Sequence, residues 1–135
     1  MKPFDWENYL YFAEDLSYDK SEDEADLEAA LRSAISRAYY AAFNLAQKLL
    51  DDKGMSVSSE LNGKHERLWD TFTKGPNRTW RDIGASGERL RRKRVGVDYF
   101  LDRKTTQVWR NEAKSTVTAA QNILTWIEQI YNHSE

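Results

Sequence analysis

The sequence predicts an all-α fold: an antiparallel up-and-down bundle of about five helices, in a single domain over residues 1–135. Three observations carry that expectation. Apolar residues recur at three- and four-residue intervals, the rhythm of one helix face. No Val/Ile/Thr-rich alternating run is present, as a half-buried strand would need. The two prolines, Pro3 and Pro76, fall where neither interrupts a long helix.

The first helix is expected over about Asp5–Tyr18, where Trp6, Tyr9, Leu10, Ala13 and Leu16 make one apolar face. A charged turn follows, and Ser21 with Glu24 fits a capping box for the next helix. The acids Glu22, Asp23, Glu24 and Asp26 suit the positive end of that helix's dipole. The second helix runs to about Asp52 and stops at Gly54. At ~1.5 Å per residue it is about 45 Å long. Leu31, Ile35, Ala38, Ala42, Leu45 and Leu49 form its main stripe, widened by Tyr39, Phe43, Ala46 and Leu50. Neighbouring helical residues point about 100° apart, so Tyr39 falls on the core side and Tyr40 on the polar side with Ser36, Arg37 and Asn44. Tyr40 then packs against a neighbouring helix or lines a cleft shared with Arg37 and the fourth helix.

A short helix is expected near Lys64–Thr73, anchored by Leu68, Trp69 and Phe72, and KGPNR reads as a turn. A basic helix over roughly Trp80–Leu101 places Ile83, Leu90, Val97 and Leu101 on one face, with Arg94 among them. Gly84, Gly87 and Gly96 weaken this helix and also permit close backbone contact. The last helix, about Thr105–Tyr131, has Val108, Trp109, Ala113, Val117, Ala120, Leu124, Ile127 and Tyr131 in register.

Composition bounds the function. The chain is 40% hydrophobic, with five Trp and seven Tyr, which is enough apolar mass for a packed core. No run reaches the length of a membrane span, so no membrane association is expected. The acidic, aromatic N-terminus is unlike a signal peptide, and a cytoplasmic location is the default. No cysteine is present, which excludes thiol chemistry. Two histidines, His65 and His133, argue against a zinc site, and no metal or cofactor is expected.

The net charge of −2 conceals an asymmetry. Residues 1–30 hold ten acids and two bases, a net of −8, whereas residues 61–110 hold thirteen bases and six acids, a net of +7. Such polarity suits a polyanion on the basic region, one subunit on another, or local neutralisation. Arg89, Arg91, Arg92, Lys93 and Arg94 form a run of five bases. Arg89, Arg92 and Lys93 share a face that can meet successive phosphates, positioning without sequence readout.

Arg94 sits on an apolar face, where a guanidinium needs a partner. Asp98, four residues on, is the near candidate, with Tyr99 beside it. The pairing would fix how the fourth helix packs on the second, or Arg94 is a cation held in a cleft for phosphate. His65 is a helix-start hydrogen-bonding residue or a general acid–base near pH 7. No phosphate-binding glycine loop, serine triad or metal motif is present.

Taken together, LRSAISRAYYAAFNLAQKLL, the KH before the short helix and RVGVDYF resemble the HEPN superfamily, in particular its small stand-alone prokaryotic members. The resemblance spans about residues 5–130. It implies a helical bundle, usually dimeric, and many such proteins are ribonucleases or toxins encoded beside a minimal nucleotidyltransferase partner. Their active site is an Arg and a His separated by four to six residues. Here the corresponding positions before His65 hold Ser58, Ser59 and Glu60, so that motif is absent. His65, Arg94, Asp98 and Tyr99 match positions shared by the subgroup.

Three functions are compatible with these readings. The first is a homodimeric module that binds RNA, a nucleotide or a partner protein through Arg89, Arg92, Lys93 and Arg94, with Tyr40 and Arg37 beside them, in a toxin–antitoxin or defence setting. The second is a metal-independent RNA endonuclease using His65 and Arg94. The third is a structural assembly protein with Trp6, Tyr9 and Trp109 as interface anchors.

Overall fold

The structure, a computed structural model, describes residues 5–55, 63–99 and 105–133, with the side chains of 96–99 outside the description. Those residues form an all-α bundle of five helices: α1 Trp6–Ser17, α2 Glu24–Asp52, α3 Lys64–Thr73, α4 Arg78–Tyr99 and α5 Thr106–Asn132. The expected roles of Val97 and Leu101 lie outside the described side chains.

Local chemistry sets the helix ends. Asp5 caps α1 by accepting from the Glu7 and Asn8 amides. The cap of α2 is Asp23, whose carboxylate accepts from the Asp26 amide at 3.0 Å. The expected Ser21–Glu24 capping box is therefore not the one formed: the Ser21 amide instead donates to Asp19 at 2.9 Å, a turn earlier. A carboxylate both accepts the amide and favours the dipole, so Asp23 competes well against a serine two residues further out. Gly54, at φ +70, closes α2. The Met55 amide donates to Leu50 O at 2.8 Å and the Gly54 amide to Asp51 O at 3.1 Å, the paired bonds of a Schellman end.

α2 is the one helix that meets all four others. Its buried residues include the expected stripe, apart from a half-buried Leu45, and add Leu27, Ala34 and Ala41. The main core joins Leu10 and Ala13 of α1, Leu68, Trp69 and Phe72 of α3, Ile83 and Leu90 of α4, and Ile123 and Ile127 of α5 to the middle and C-terminal part of α2. A smaller cluster sits nearer the start of α2, where Leu27, Leu31 and Ile35 meet Trp109 and Ala113. Trp109 is thus a core residue at 2% exposure and not an interface anchor. Trp6 and Tyr9 are half-buried and meet edge to face at 5.5 Å.

The α5 face is rotated from its expected setting. Thr116, Ile123 and Ile130 are buried, while Val108 is 41% and Tyr131 37% exposed. Val108 stands at the side of the inward line in the first turn. Tyr131 lies at the far end of α5, where its hydroxyl donates to Asp52 at the end of α2 over 2.6 Å.

α3 lies against α4 at two glycines, with the Trp69 indole over Gly87 and Thr73 over Gly84. A Cβ at Gly87 would stand 2.1 Å from Trp69 Cε3, and one at Gly84 would stand 2.5 Å from the Thr73 backbone nitrogen. Only hydrogen at Gly87 lets the Trp69 indole sit directly on the α4 backbone, and only hydrogen at Gly84 lets the end of α3 approach there. At the other side of the bundle, Arg110 of α5 donates to Ser17 O at 3.0 Å and Asp19 O at 2.7 Å, holding the end of α1. Gln121 of α5 donates to Glu14 of α1. No described helix is long and apolar enough to cross a membrane.

Candidate functional site: the junction of α2, α3 and α4

The two adjacent tyrosines organise the site. Tyr39 is fully buried, so its hydroxyl needs protein partners. It has two. Trp69 Nε1 donates to it at 3.1 Å, and it lies 2.7 Å from His65 Nδ1. An indole N–H can only donate, so the phenol oxygen accepts there; the buried O–H needs an acceptor of its own, and His65 Nδ1 is the one within reach. That assigns His65 the neutral form with its proton on Nε2. Burial pushes the Tyr39 phenol well above its ordinary value. It therefore stays a proton donor.

His65 is half-buried and stacks on Phe43, with ring centroids 4.0 Å apart. Burial holds the imidazole below its ordinary value, and the positive charges of Arg94, Lys64 and Arg91 add to that. Near neutral pH the ring is uncharged, with Nδ1 occupied. Its remaining capacity is a single N–H donor.

Tyr40, half-buried, turns to α4. Arg94 Nη1 donates to its hydroxyl at 3.0 Å. The Arg94 guanidinium lies 5.2 Å from the Tyr40 ring and 5.4 Å from the Tyr39 ring. Arg94 is half-buried. His65 and Arg94 thus bear on the same tyrosine pair from different helices, and Lys64 Nζ stands 6.0 Å from the neighbouring Phe43 ring. The side chains of Asp98 and Tyr99 lie outside the described residues.

The five-base run fans out around α4. Arg91 makes two bonds to Glu88, at 2.9 and 2.7 Å, and stands 3.6 Å from Glu66. Arg92 is 3.3 Å from the same Glu88. Lys93 reaches α5 and donates to Ser115 at 3.3 Å. Arg89 is exposed. An open cleft of ≈ 440 Å³ between α3 and α4 is lined by Glu66, Arg67, Asp70, Glu88, Arg91 and Arg92 among others. These acids and bases balance, so the cleft itself offers an anion little net attraction. Arg37 lies elsewhere: its Nε donates to Ser33 and its guanidinium sits 4.8 Å from the Phe12 ring and 5.5 Å from the Tyr9 ring, both on α1.

The sequence reading did not include Trp69 and Phe43 in this site, treating both as core. The signal for Trp69 was the Tyr39 hydroxyl, a buried polar group that required a donor or acceptor from another helix. Among the described residues no three His, Asp or Glu side chains gather as metal ligands.

Set against known protein families, curated proteins and solved structures, the chain finds no match. The site is therefore interpreted from its own chemistry. It offers cationic and N–H donors beside aromatic rings. It does not offer His65 as a ready base, because one ring nitrogen is bonded and the other carries the proton.

Proposed function

We propose that the chain is a HEPN-like helical module that binds RNA or a nucleotide through α4 and the adjoining junction without cleaving it. The observation that supports this most directly is the division of labour on α4. Arg94 faces inward to Tyr40, while Arg89 and Arg92 are exposed where a phosphate backbone can reach them. The engaged state of His65 favours binding over acid–base cleavage.

The test is RNA binding over a salt series. Wild type should bind single-stranded RNA at low salt, with log K falling linearly against log salt. Reversing Arg89, Arg92 and Lys93 to Glu should abolish that binding. Each phosphate contact on a single strand contributes a slope of about −0.7, so neutralising the same three side chains to Gln should flatten the line by about 2. No affinity for RNA or nucleotides at low salt would remove this reading and leave a partner protein, such as the nucleotidyltransferase that the HEPN resemblance implies. Cleavage of the RNA that disappears in His65→Ala would replace it with the endonuclease reading.

A further inference from the structure

Among the described residues α1 and α4 do not touch: α1 packs on α2 and α5, and α4 packs on α2, α3 and α5. The acids of α1 therefore do not meet the bases of α4 by helix packing within one copy. Each helix turns a ridge to solvent. On α1 the exposed ridge is Asn8, Tyr11 and Asp15, continued by Tyr18 at the C-cap, with Tyr11 58% and Tyr18 55% exposed. On α4 it is Arg81, Ala85, Arg89 and Arg92.

The two ridges match in spacing and chemistry. At ~1.5 Å per residue, Tyr11 and Tyr18 are about 10 Å apart along the axis, and Arg81 and Arg89 about 12 Å. Each pair brackets a middle residue, Asp15 on α1 and the small Ala85 on α4. Aromatic rings of α1 already take cations inside the molecule. Arg37 lies over Phe12 and Tyr9, and Lys114 Nζ stands 4.8 Å from the Tyr18 ring. The exposed α1 ridge carries Asp15 and the exposed α4 ridge carries Arg81, Arg89 and Arg92, which gives the two surfaces opposite sign.

We propose that the exposed ridge of α1 is the docking surface for the α4 ridge of a second copy of this chain. Arg81 and Arg89 of one copy lie on the Tyr11 and Tyr18 rings of the other, and Ala85 lets the helices approach at Asp15. The contact joins two different surfaces: made twice about a two-fold axis it gives a closed pair, and made once per copy it closes into a ring or propagates. The inference goes beyond nucleic-acid binding and does not require it. If both hold, the second copy covers Arg89 and competes with RNA.

Mass in solution, measured by sedimentation in RNA-free buffer, tests it. Wild type should associate with rising concentration and dissociate with added salt. Two surface variants separate the halves of the contact: Arg81→Glu with Arg89→Glu, and Tyr11→Ser with Asp15→Arg and Tyr18→Ser. Each alone should be monomeric, with circular dichroism checking that each is folded. Mixed together they should form one-to-one pairs and no larger species, because only one intact contact remains between them. A wild type that stays monomeric at high concentration and low salt overturns the proposal and leaves the α1 ridge to another protein or to none. Association that persists in either variant alone, or fails to return on mixing two folded variants, overturns it as well.

Discussion

Tyr39 concentrates the chemistry of the junction on one oxygen, bonded to both Trp69 Nε1 and His65 Nδ1. Tyr39→Phe keeps the ring and takes this bond from the buried Trp69 N–H and the half-buried His65. A loss of about 1–3 kcal/mol is expected, readable as a shift in the urea midpoint. His65 gives a pH dependence with a defined sign. Its folded value lies below the ordinary 6.5, so between the two the unfolded chain binds more protons. Stability is thus full above 6.5, falls as pH drops below it, and levels off once the folded ring also protonates. Thermal melts from pH 7.5 to about 5.5 should show this fall in wild type. His65→Gln should flatten it. The 100° step between neighbours is enough to separate Tyr39 from Tyr40 in the sequence. It could not give the bond from Tyr39 to His65, because that depends on where α3 comes to rest after a long connection.

At the scale of elements, intrinsic propensity and packing pull in opposite directions on α4. Glycine inside a helix costs about 1 kcal/mol relative to alanine, so propensity alone makes Gly87→Ala stabilising. The Trp69 indole reverses the sign. A methyl group 2.1 Å from Cε3 forces α3 off α4, and a net loss of about 1–3 kcal/mol is expected in chemical denaturation. Gly54→Ala provides the contrast, since its Cβ meets nothing within 4 Å and only the φ of +70 opposes it. That change should cost about 1–2 kcal/mol through backbone strain alone. The bounds of α3 were legible because Leu68, Trp69 and Phe72 fall on one face between turn residues. The phase of α5 was less so. Many of its apolar residues fit more than one inward line, and the position of α2 decides between them. The cap of α2 was misplaced because DKSEDEAD holds several competent capping residues in a row, and local sequence does not rank them.

For the molecule as a whole, two buried clusters share the continuous helices α2 and α5. A defect in the smaller cluster should lower global stability without disturbing the junction. Leu31→Ala removes a fully buried side chain there and should cost about 2–5 kcal/mol. Measured well below its melting temperature, this variant should keep wild-type affinity for RNA, whereas a fall in affinity would mean that the two ends are coupled. The overall architecture was the most legible level, since five amphipathic segments with few breakers leave few arrangements. The segregation of charge was legible as arithmetic. Its placement was not, because only the packing shows that α1 and α4 are kept apart. The bonded series Trp69–Tyr39–His65 has a practical consequence. A wholly enclosed indole is linked through Tyr39 to the half-buried imidazole, so the protein carries its own fluorophore. The emission difference between wild type and Trp69→Phe would register an arriving anion with no dye attached.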